Sequence, residues 1–553
     1  MLKKIFYKIT HPFLWYKISK FKTIYGDKKI AFYGAGIFAQ ELFENFYFSD
    51  LNILGIIDRD YGKKGTKIAN YEIFFFDEIE TLNPDIIVST VINHSKDKII
   101  PPILTYLKEK NLKCKVVYDF NYEIAPENYN EKITKIDKIA KNLNPIFNVF
   151  SSLPSIIDIV MWLTGTFLAN LVPKKKNSIL FLGKNSRYFL DNAKYLYNHL
   201  VRTNETEIDF SFLTEDKQTF ELLKEKNLPV CFYPDFKTAY RLLRTGIAIT
   251  ADNPSDAHII KQHFLFGAKK IQLWHGVGFK TIEFTMPEII ENMKSIKNRL
   301  NYFLKCRFPK YDILNSTSAF YTENVFKPAF LPKEIFEGGY PRNDVMFREP
   351  DKLDLIETDI ENYNKIIEYK NQGYKTILYA PTFRDSRNDP ISDGVINLEE
   401  WSQYGEKNKI IFILKFHPTP NTNYTEFNKL KNIIIYNNTK DIYPALRNID
   451  LMVTDYSSIY MDYLLINKPV LFFPYDYEKY ISKDRNIQFD YNWITPGSKC
   501  YNQDELFQEI ENVLINNVDD YKEKREEIKN MAFKDPDGNS SKRIWDFIKK
   551  KYL

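Results

Sequence analysis

The sequence predicts an α/β protein built from parallel-sheet domains, two of them facing each other and a smaller one in front, and three observations predict it. Short apolar runs alternate with helix-period stretches along most of the chain, a pattern that needs crossover connections and therefore parallel strands. A glycine-rich turn follows the first such run. After Tyr340 the alternation starts again, beyond a turn-rich break, G-G-Y-P-R-N-D at 338–344. The chain of 553 residues is too long for one core and suits about three domains of roughly 100 to 200 residues each.

Charge and cysteine usage narrow the class. The 77 basic and 72 acidic side chains leave a net charge of +5, too even for a general nucleic-acid binder. Cys114, Cys231, Cys306 and Cys500 are scattered with no C-x-x-C spacing, so neither a zinc site nor a disulfide framework is expected and a reducing compartment fits.

The elements follow in chain order. Residues 1–26 interleave Lys3, Lys4, Lys8, Lys17, Lys20 and Lys22 with Phe6, Tyr7, Phe13, Leu14, Trp15, Tyr16 and Phe21, and contain no acid. There is no uninterrupted apolar core or cleavage site, so this is no signal peptide. It reads as an interfacial segment for an anionic membrane, or equally as a basic helix lying on the protein's own surface.

Residues 27–120 begin K-K-I-A-F-Y-G-A-G-I-F-A, a strand, a turn and a helix start, with Gly34, Gly36 and Ala39 in a G-x-G-x-x-A arrangement. The next strand ends at Asp58, 22 residues after Gly36. This is a small Rossmann-like domain. Its turn is a possible nucleotide site, Gly34 and Gly36 for close backbone approach and Asp58 for ribose hydroxyls, although glycines there serve equally to pack helix on sheet. Residues 121–176 read as a helical, lysine-rich connector. It ends in an apolar stretch at 156–172 that is short for a membrane span, contains Asp158, and is followed by Lys174, Lys175 and Lys176. It reads as lying on the bilayer, with a buried core helix as the alternative.

Strand and helix patterns resume over 177–345 and again over 346–553, with the 338–344 break as the natural hinge between two facing domains. In that architecture ligands bind at the carboxyl ends of the strands. Four segments place chemistry there. In L-W-H-G-V-G-F-K a strand ends just before His275, where an imidazole can act as general base and Gly276 and Gly278 let the chain turn beside a substrate. In I-L-K-F-H-P, alternation puts Lys415 and His417 on one face at a strand end, suited to phosphate oxygens and a leaving diphosphate. Y-A-P-T-F-R-D ends its strand with Thr382, Arg384 and Asp385, an arginine fork for phosphate and an acceptor for ribose or base. T-D-Y-S-S carries Asp455, Ser457 and Ser458 to a helix start, where the serines cap the helix, aim amide donors at an anion, or both. Arg342 in the break adds a possible phosphate contact.

These segments, in this order, with Y-F-L-D-N-A-K-Y-L-Y before them and D-P-D-G-N-S-S-K-R-I after them, resemble the CDP-glycerol:poly(glycerophosphate) glycerophosphotransferases of teichoic-acid and capsule synthesis over about 178–550. The resemblance implies a GT-B-like pair of domains and transfer of glycerol phosphate or ribitol phosphate from a CDP-polyol to a hydroxyl of a lipid-linked or growing polymer, releasing CMP. It also implies peripheral association with the cytoplasmic face of the bacterial membrane. His275 then becomes the base on the acceptor hydroxyl and His417 a donor-side catalytic histidine. Lys415, Thr382, Arg384, Asp385, Asp455, Ser457, Ser458 and Arg342 become donor contacts. A glycosyltransferase of the same architecture using a nucleotide sugar is the alternative. No D-x-D pair stands beside the motifs, so no metal and no cofactor is expected; the sequence sets no oligomeric state. Where the family often has R-G, this chain reads D-R-N-I-Q-F-D, and the domain at 27–120 lies outside the shared core.

Overall fold

The structure, a computed structural model, describes residues 12–36, 39–40, 42–43, 46, 48–59, 63–90, 96–118, 120, 122–124, 156–252, 259–382, 390–391, 393–416, 427, 429–483 and 487–553. The chain divides into two compact units, residues 1–153 with 418–426, and residues 154–417 with 427–553.

In the first unit, β1 (Lys29–Tyr33), β2 (Asn52–Asp58), β3 (Lys67–Ile68), β4 (Tyr71–Phe75), β5 (Ile86–Ser89), β6 (Lys115–Tyr118) and β7 (Tyr122–Ile124) form one sheet in the order β3-β4-β2-β1-β5-β6-β7. Its centre is parallel and its two edge pairs are antiparallel. Helix α1 (Pro12–Tyr25) buries Ile18 and Phe21 in this unit's core, with Phe21 edge-on to Phe120 at 5.5 Å, and Lys22 pairs with Asp50 at 2.6 Å. The described part of the expected interfacial segment is therefore a structural helix of the unit; the side chains before Lys17 lie outside the described residues.

The second unit holds two parallel sheets. One, in the order β10-β9-β8-β11-β12-β13-β14, is made of β8 (Lys175–Leu182), β9 (Asp209–Thr214), β10 (Val230–Phe232), β11 (Thr245–Thr250), β12 (Lys269–Gln272), β13 (Lys310–Ser316) and β14 (Leu331–Glu337). The other, in the order β17-β16-β15-β18-β19, is made of β15 (Lys375–Tyr379), β16 (Ile410–Leu414), β17 (Ile433–Ile435), β18 (Leu451–Thr454) and β19 (Val470–Phe472). Both central strand sets are apolar runs buried on both faces, as parallel strands require.

Two expectations about the join between these domains are corrected. The turn at Pro341–Phe347, within the break expected to be a hinge, is buried and not an open linker: Arg342, Asn343 and Asp344 are 4%, 2% and 7% exposed. The chain also returns. The last helix, α8 (Ser540–Tyr552), packs Ile544, Trp545 and Ile548 into the core of the β8 sheet, and the Asp344 carboxylate accepts from the Ser540 and Ser541 amides at its start (2.9 and 2.8 Å). The domain expected over 346–553 thus gives its last helix to its neighbour. Helix α4 (Asp191–Thr203) adds a second fastening: the fully buried Lys194 ammonium donates to the Asp354 and Ile356 carbonyls and to Asp441, each at 2.7 Å. A buried ammonium is tolerated when its donors are satisfied in this way.

The apolar connector forms α3 (Ile156–Leu171). It packs beside α6 (Ile296–Leu304) through Trp162 and Phe303, ring centres 5.4 Å apart, and its Gly165 abuts His263. Leu163, Phe167 and Leu171, spaced four apart on one face, remain 53%, 63% and 62% exposed. The lysines behind it are partly structural, unlike the surface cluster expected. Lys174 turns inward and donates to the Leu243 and Phe264 carbonyls, and Lys175 opens β8 and pairs with Asp209. Among the described residues no helix is long and apolar enough to cross a membrane.

Candidate active site

β12 ends at Gln272, whose side chain steers the next turn: its oxygen accepts from the Trp274 amide (2.9 Å) and its nitrogen donates to the Asp252 carbonyl (2.7 Å). Trp274 is held at φ +59°, a left-handed conformation that costs a bulky residue roughly 1–2 kcal/mol and persists because the surroundings fix it. Its carbonyl accepts from Asn192, and its ring lies 4.1 Å from that of His275. His275 Nδ1 stands 3.1 Å from the Ala251 carbonyl, an acceptor only, so Nδ1 carries the proton and Nε2 keeps the lone pair. Burial lowers the imidazole pKa below its usual value; Asp191 opposes this, while Lys184 and Arg342 reinforce it. The geometry is that of a neutral histidine ready to take a proton at Nε2.

The glycines after it bring the two domains together. A Cβ on Gly276, at φ +150°, would stand 3.1 Å from Ser458 Oγ and 3.3 Å from Arg342 Nη2, and one on Gly278 would stand 3.2 Å from Ser458 Cβ. The His275 loop and the serine at the start of α7 (Ile459–Tyr463) are thus in direct contact. A second tether lies just beyond: the Gln488 amide donates to the Phe279 carbonyl (2.6 Å) and Ile487 bridges to Lys280. This is the described part of the divergent D-R-N-I-Q-F-D segment.

Across the contact, β18 runs into Asp455, fully buried, whose Oδ1 accepts from the amides of Thr382 (2.8 Å) and Tyr456. Asp455 therefore joins two of the expected donor segments by fixing their backbones. Ser458 makes no side-chain cap to the helix it opens, so plain capping does not account for its hydroxyl. Ser457 and Ser458 are both partly exposed.

Two expected phosphate contacts are differently employed. The Lys415 ammonium donates to the Asn437, Asn438 and Lys440 carbonyls (3.1, 3.2 and 2.8 Å), and burial pushes its pKa down to about 8, with Lys184 adding to the effect. Its three donors shape a loop. Arg342 is buried between domains: Nη1 donates to Asp191 and to the His275 carbonyl, both at 2.8 Å, and Nη2 donates to Asp462 at 2.6 Å. Arg384, Asp385 and His417 lie outside the described residues.

Gly34 in the first unit has φ +102°, and Thr90 Oγ1 donates to the Tyr33 and Gly34 carbonyls. Asp58, expected to face a ribose, accepts from the Ala35 amide at 2.6 Å and pairs with Lys63 at 3.3 Å, locking the turn from within.

Residues 165–550 match the family described as CDP-Glycerol:Poly(glycerophosphate) glycerophosphotransferase. The chain belongs to that family. It is an enzyme, a transferase of polyol phosphate from a CDP-linked donor, and its residues 26–106 match a second family described as C2185-like, N-terminal. It is 25% identical to the teichoic acid ribitol-phosphate polymerase TarL of Staphylococcus aureus (strain NCTC 8325 / PS 47) over 527 residues, 89% of this chain and 88% of that one. It is 29% identical to the teichoic acid glycerol-phosphate primase of Bacillus subtilis (strain 168) over 397 residues, 69% and 93% of the two chains. The solved wall teichoic acid polymerase TagF superposes with a TM-score of 0.53 at 22% identity, covering 75% of this chain and 98% of that chain, which shows the shared GT-B-like fold.

Sequence reading missed Asp191 and Lys184, which act on the glycerophosphotransferase histidine, and Asp462, which holds Arg342. One signal was present: an aspartate inside the apolar helix start I-Y-M-D-Y-L-L must be buried and must find a cation.

Proposed function

We propose that this glycerophosphotransferase joins glycerol phosphate or ribitol phosphate to a hydroxyl of a lipid-linked or growing cell-surface polymer, with His275 as the base. The observation that carries this is the Nδ1 contact to the Ala251 carbonyl, which leaves Nε2 as proton acceptor at the domain junction. The acceptor O–H gives its proton to Nε2 as its oxygen bonds to the polyol-bearing phosphorus. The bond from that phosphorus to the bridging oxygen breaks, and its electron pair leaves on CMP. Donor phosphates would lie beside Ser457 and Ser458, with the segment of Thr382, Arg384 and Asp385 and with His417 completing the donor side. Lys184, half-exposed and 3.8 Å from Asp191, is a cation whose charge acts on both His275 and Lys415 and would favour an anionic donor here. Purified protein given CDP-glycerol or CDP-ribitol and a lipid-linked acceptor should release CMP and form a phosphodiester visible by phosphorus NMR. No turnover with either donor would sink the reading.

The enzyme would work on the cytoplasmic face of an anionic membrane. Support comes from a patch outside the reaction centre: Leu163, Phe167 and Leu171 on α3, Phe236 and Tyr240 on α5 (Phe236–Arg244), and Ile296 and Leu300 on α6 are exposed, with Lys237, Arg244, Lys297 and Arg299 exposed on the same helices. Apolar side chains rimmed by cations fit the headgroup layer. Co-sedimentation with vesicles containing anionic lipid should fall sharply in Phe167→Glu/Ile296→Glu, and equal binding by wild type and this variant would remove the patch from the interface.

A further inference from the structure

We propose that Arg342 is a positioning residue that sets the His275 loop from the second domain, one guanidinium nitrogen holding Asp191 and the His275 carbonyl while the other holds Asp462. The inference rests on His275 being the base. Its ground is a continuous buried chain, Asp462 to Arg342 to Asp191, with side chains 1%, 5% and 7% exposed. One end sits in α7, four residues after Ser458 and so on the same helical face as the residue that touches Gly276 and Gly278. The other end sits at the start of α4, where Asp191 has φ +63° and its neighbour Asn192 ties the Trp274 carbonyl to the Arg342 amide.

Each bond in the chain has a consequence for the histidine. The contact from Nη1 to the His275 carbonyl fixes the backbone of the base itself, in a loop already strained at Trp274. Asn343 Nδ2 (2.9 Å) and Tyr443 OH (2.7 Å) also donate to Asp462, so the far anchor cannot swing without breaking three hydrogen bonds. The Arg342 guanidinium lies over the rings of Tyr443 and Tyr340 at 4.7 and 5.4 Å, which sets its plane. The fork's two terminal nitrogens point to opposite sides, one to Asp191 and the His275 carbonyl and the other to Asp462; a lysine ammonium has three donors on a single nitrogen and would reach one side. The geometry therefore links the placement of Ser458, on the donor domain, to the placement of the base on the acceptor domain.

The charged groups facing His275 are Asp191, Lys184 and Arg342. Burial opposes ionisation of Asp191, and Arg342 and Lys184 overcome it and hold the carboxyl below its usual range. Moving the guanidinium away would leave the Asp191 charge to Lys184 alone, loosely paired at 3.8 Å, which favours the protonated histidine.

The test uses the full chain with Arg342→Lys and Asp462→Asn, read by CMP release from CDP-glycerol and by NMR titration of ε1-labelled histidines, His275 being assigned by its loss in His275→Ala. For Arg342→Lys we expect kcat to fall about 100-fold with the donor KM changed by no more than about threefold, as a misplaced catalytic group would give. The His275 titration should move upward by roughly one pH unit. Asp462→Asn, which keeps Arg342 on Asp191, should lower kcat with a smaller titration shift. Wild-type kcat and an unmoved His275 titration in folded Arg342→Lys would overturn the proposal, as would a loss confined to melting temperature or donor KM. If wild type releases no CMP from any CDP-polyol, the functional reading fails, while the His275 titration still decides whether Arg342 sets the imidazole's surroundings.

Discussion

The glycine turn of the first unit and the His275 loop of the second stand at the same place in their folds, the carboxyl edge of a parallel sheet, and both hold an aspartate beside a chain reversal. Their chemistry differs in what is committed. At the first, Asp58 binds the Ala35 amide and Lys63, and Thr90 binds two carbonyls, so these polar groups brace the turn. At the second, the bracing falls to Gln272, Asn192 and Arg342, and His275 is held through Nδ1 and its own carbonyl. Nε2, the nitrogen proposed as the base, is left to a substrate. A motif at a sheet edge gives position; function depends on a neighbour taking over the structural work.

The strongest way to break this contrast is at the imidazole. His275→Ala should cut CMP release by on the order of 10²–10⁴, the usual contribution of a positioned base, with the circular dichroism spectrum unchanged. In the wild type, the depressed pKa of His275 keeps it neutral below the ordinary histidine value near about 6.5. The acid limb of kcat/KM should therefore fall below that value, activity being lost as pH drops through it; a limb above it would contradict the burial argument. Gly276→Ala comes next. A methyl there meets Ser458 and Arg342 at 3.1 and 3.3 Å and cannot hold φ +150° without strain. The loop must shift, and roughly 10- to 100-fold in kcat should go with it.

Much of this was legible in the sequence because strands and loop ends carry local signals. Alternation gave the parallel sheets, and L-W-H-G and T-D-Y-S-S announced edges that the fold brings into contact. What stayed hidden depends on partners distant in the chain. Nothing near Lys415 marks the three carbonyls at 437–440 that take its ammonium, and nothing near Arg342 names Asp191 and Asp462, 151 and 120 residues away. G-G-Y-P-R-N-D reads as a hinge by its turn formers, but its charges find buried partners and the turn becomes a knot. Phe21 looks interfacial among lysines, and the ring of Phe120 decides otherwise.

Lys184 sharpens the contrast at a smaller scale. Its ammonium is half-exposed and only loosely paired with Asp191, and its charge is felt by both His275 and Lys415. Lys184→Met should raise the donor KM about tenfold, the worth of one charge-assisted hydrogen bond to phosphate, with kcat changed less. An unchanged KM would leave the donor phosphates to the second domain alone.

The smallest effect on turnover belongs to the first unit. Asp58→Ala removes the acceptor of the Ala35 amide and the partner of Lys63, and should cost that unit about 1–3 kcal/mol of stability by leaving a partly buried donor unpaired. CMP release by the transferase domains should be unaltered, because Asp58 braces its own turn and the proposed base, His275, lies in a unit with its own cores. Calorimetry of the full chain would show an early transition move down while the rest stayed in place. A parallel loss of CMP release would mean that the first turn is no mere brace, and that the two sheet edges are more alike in function than their hydrogen bonds imply.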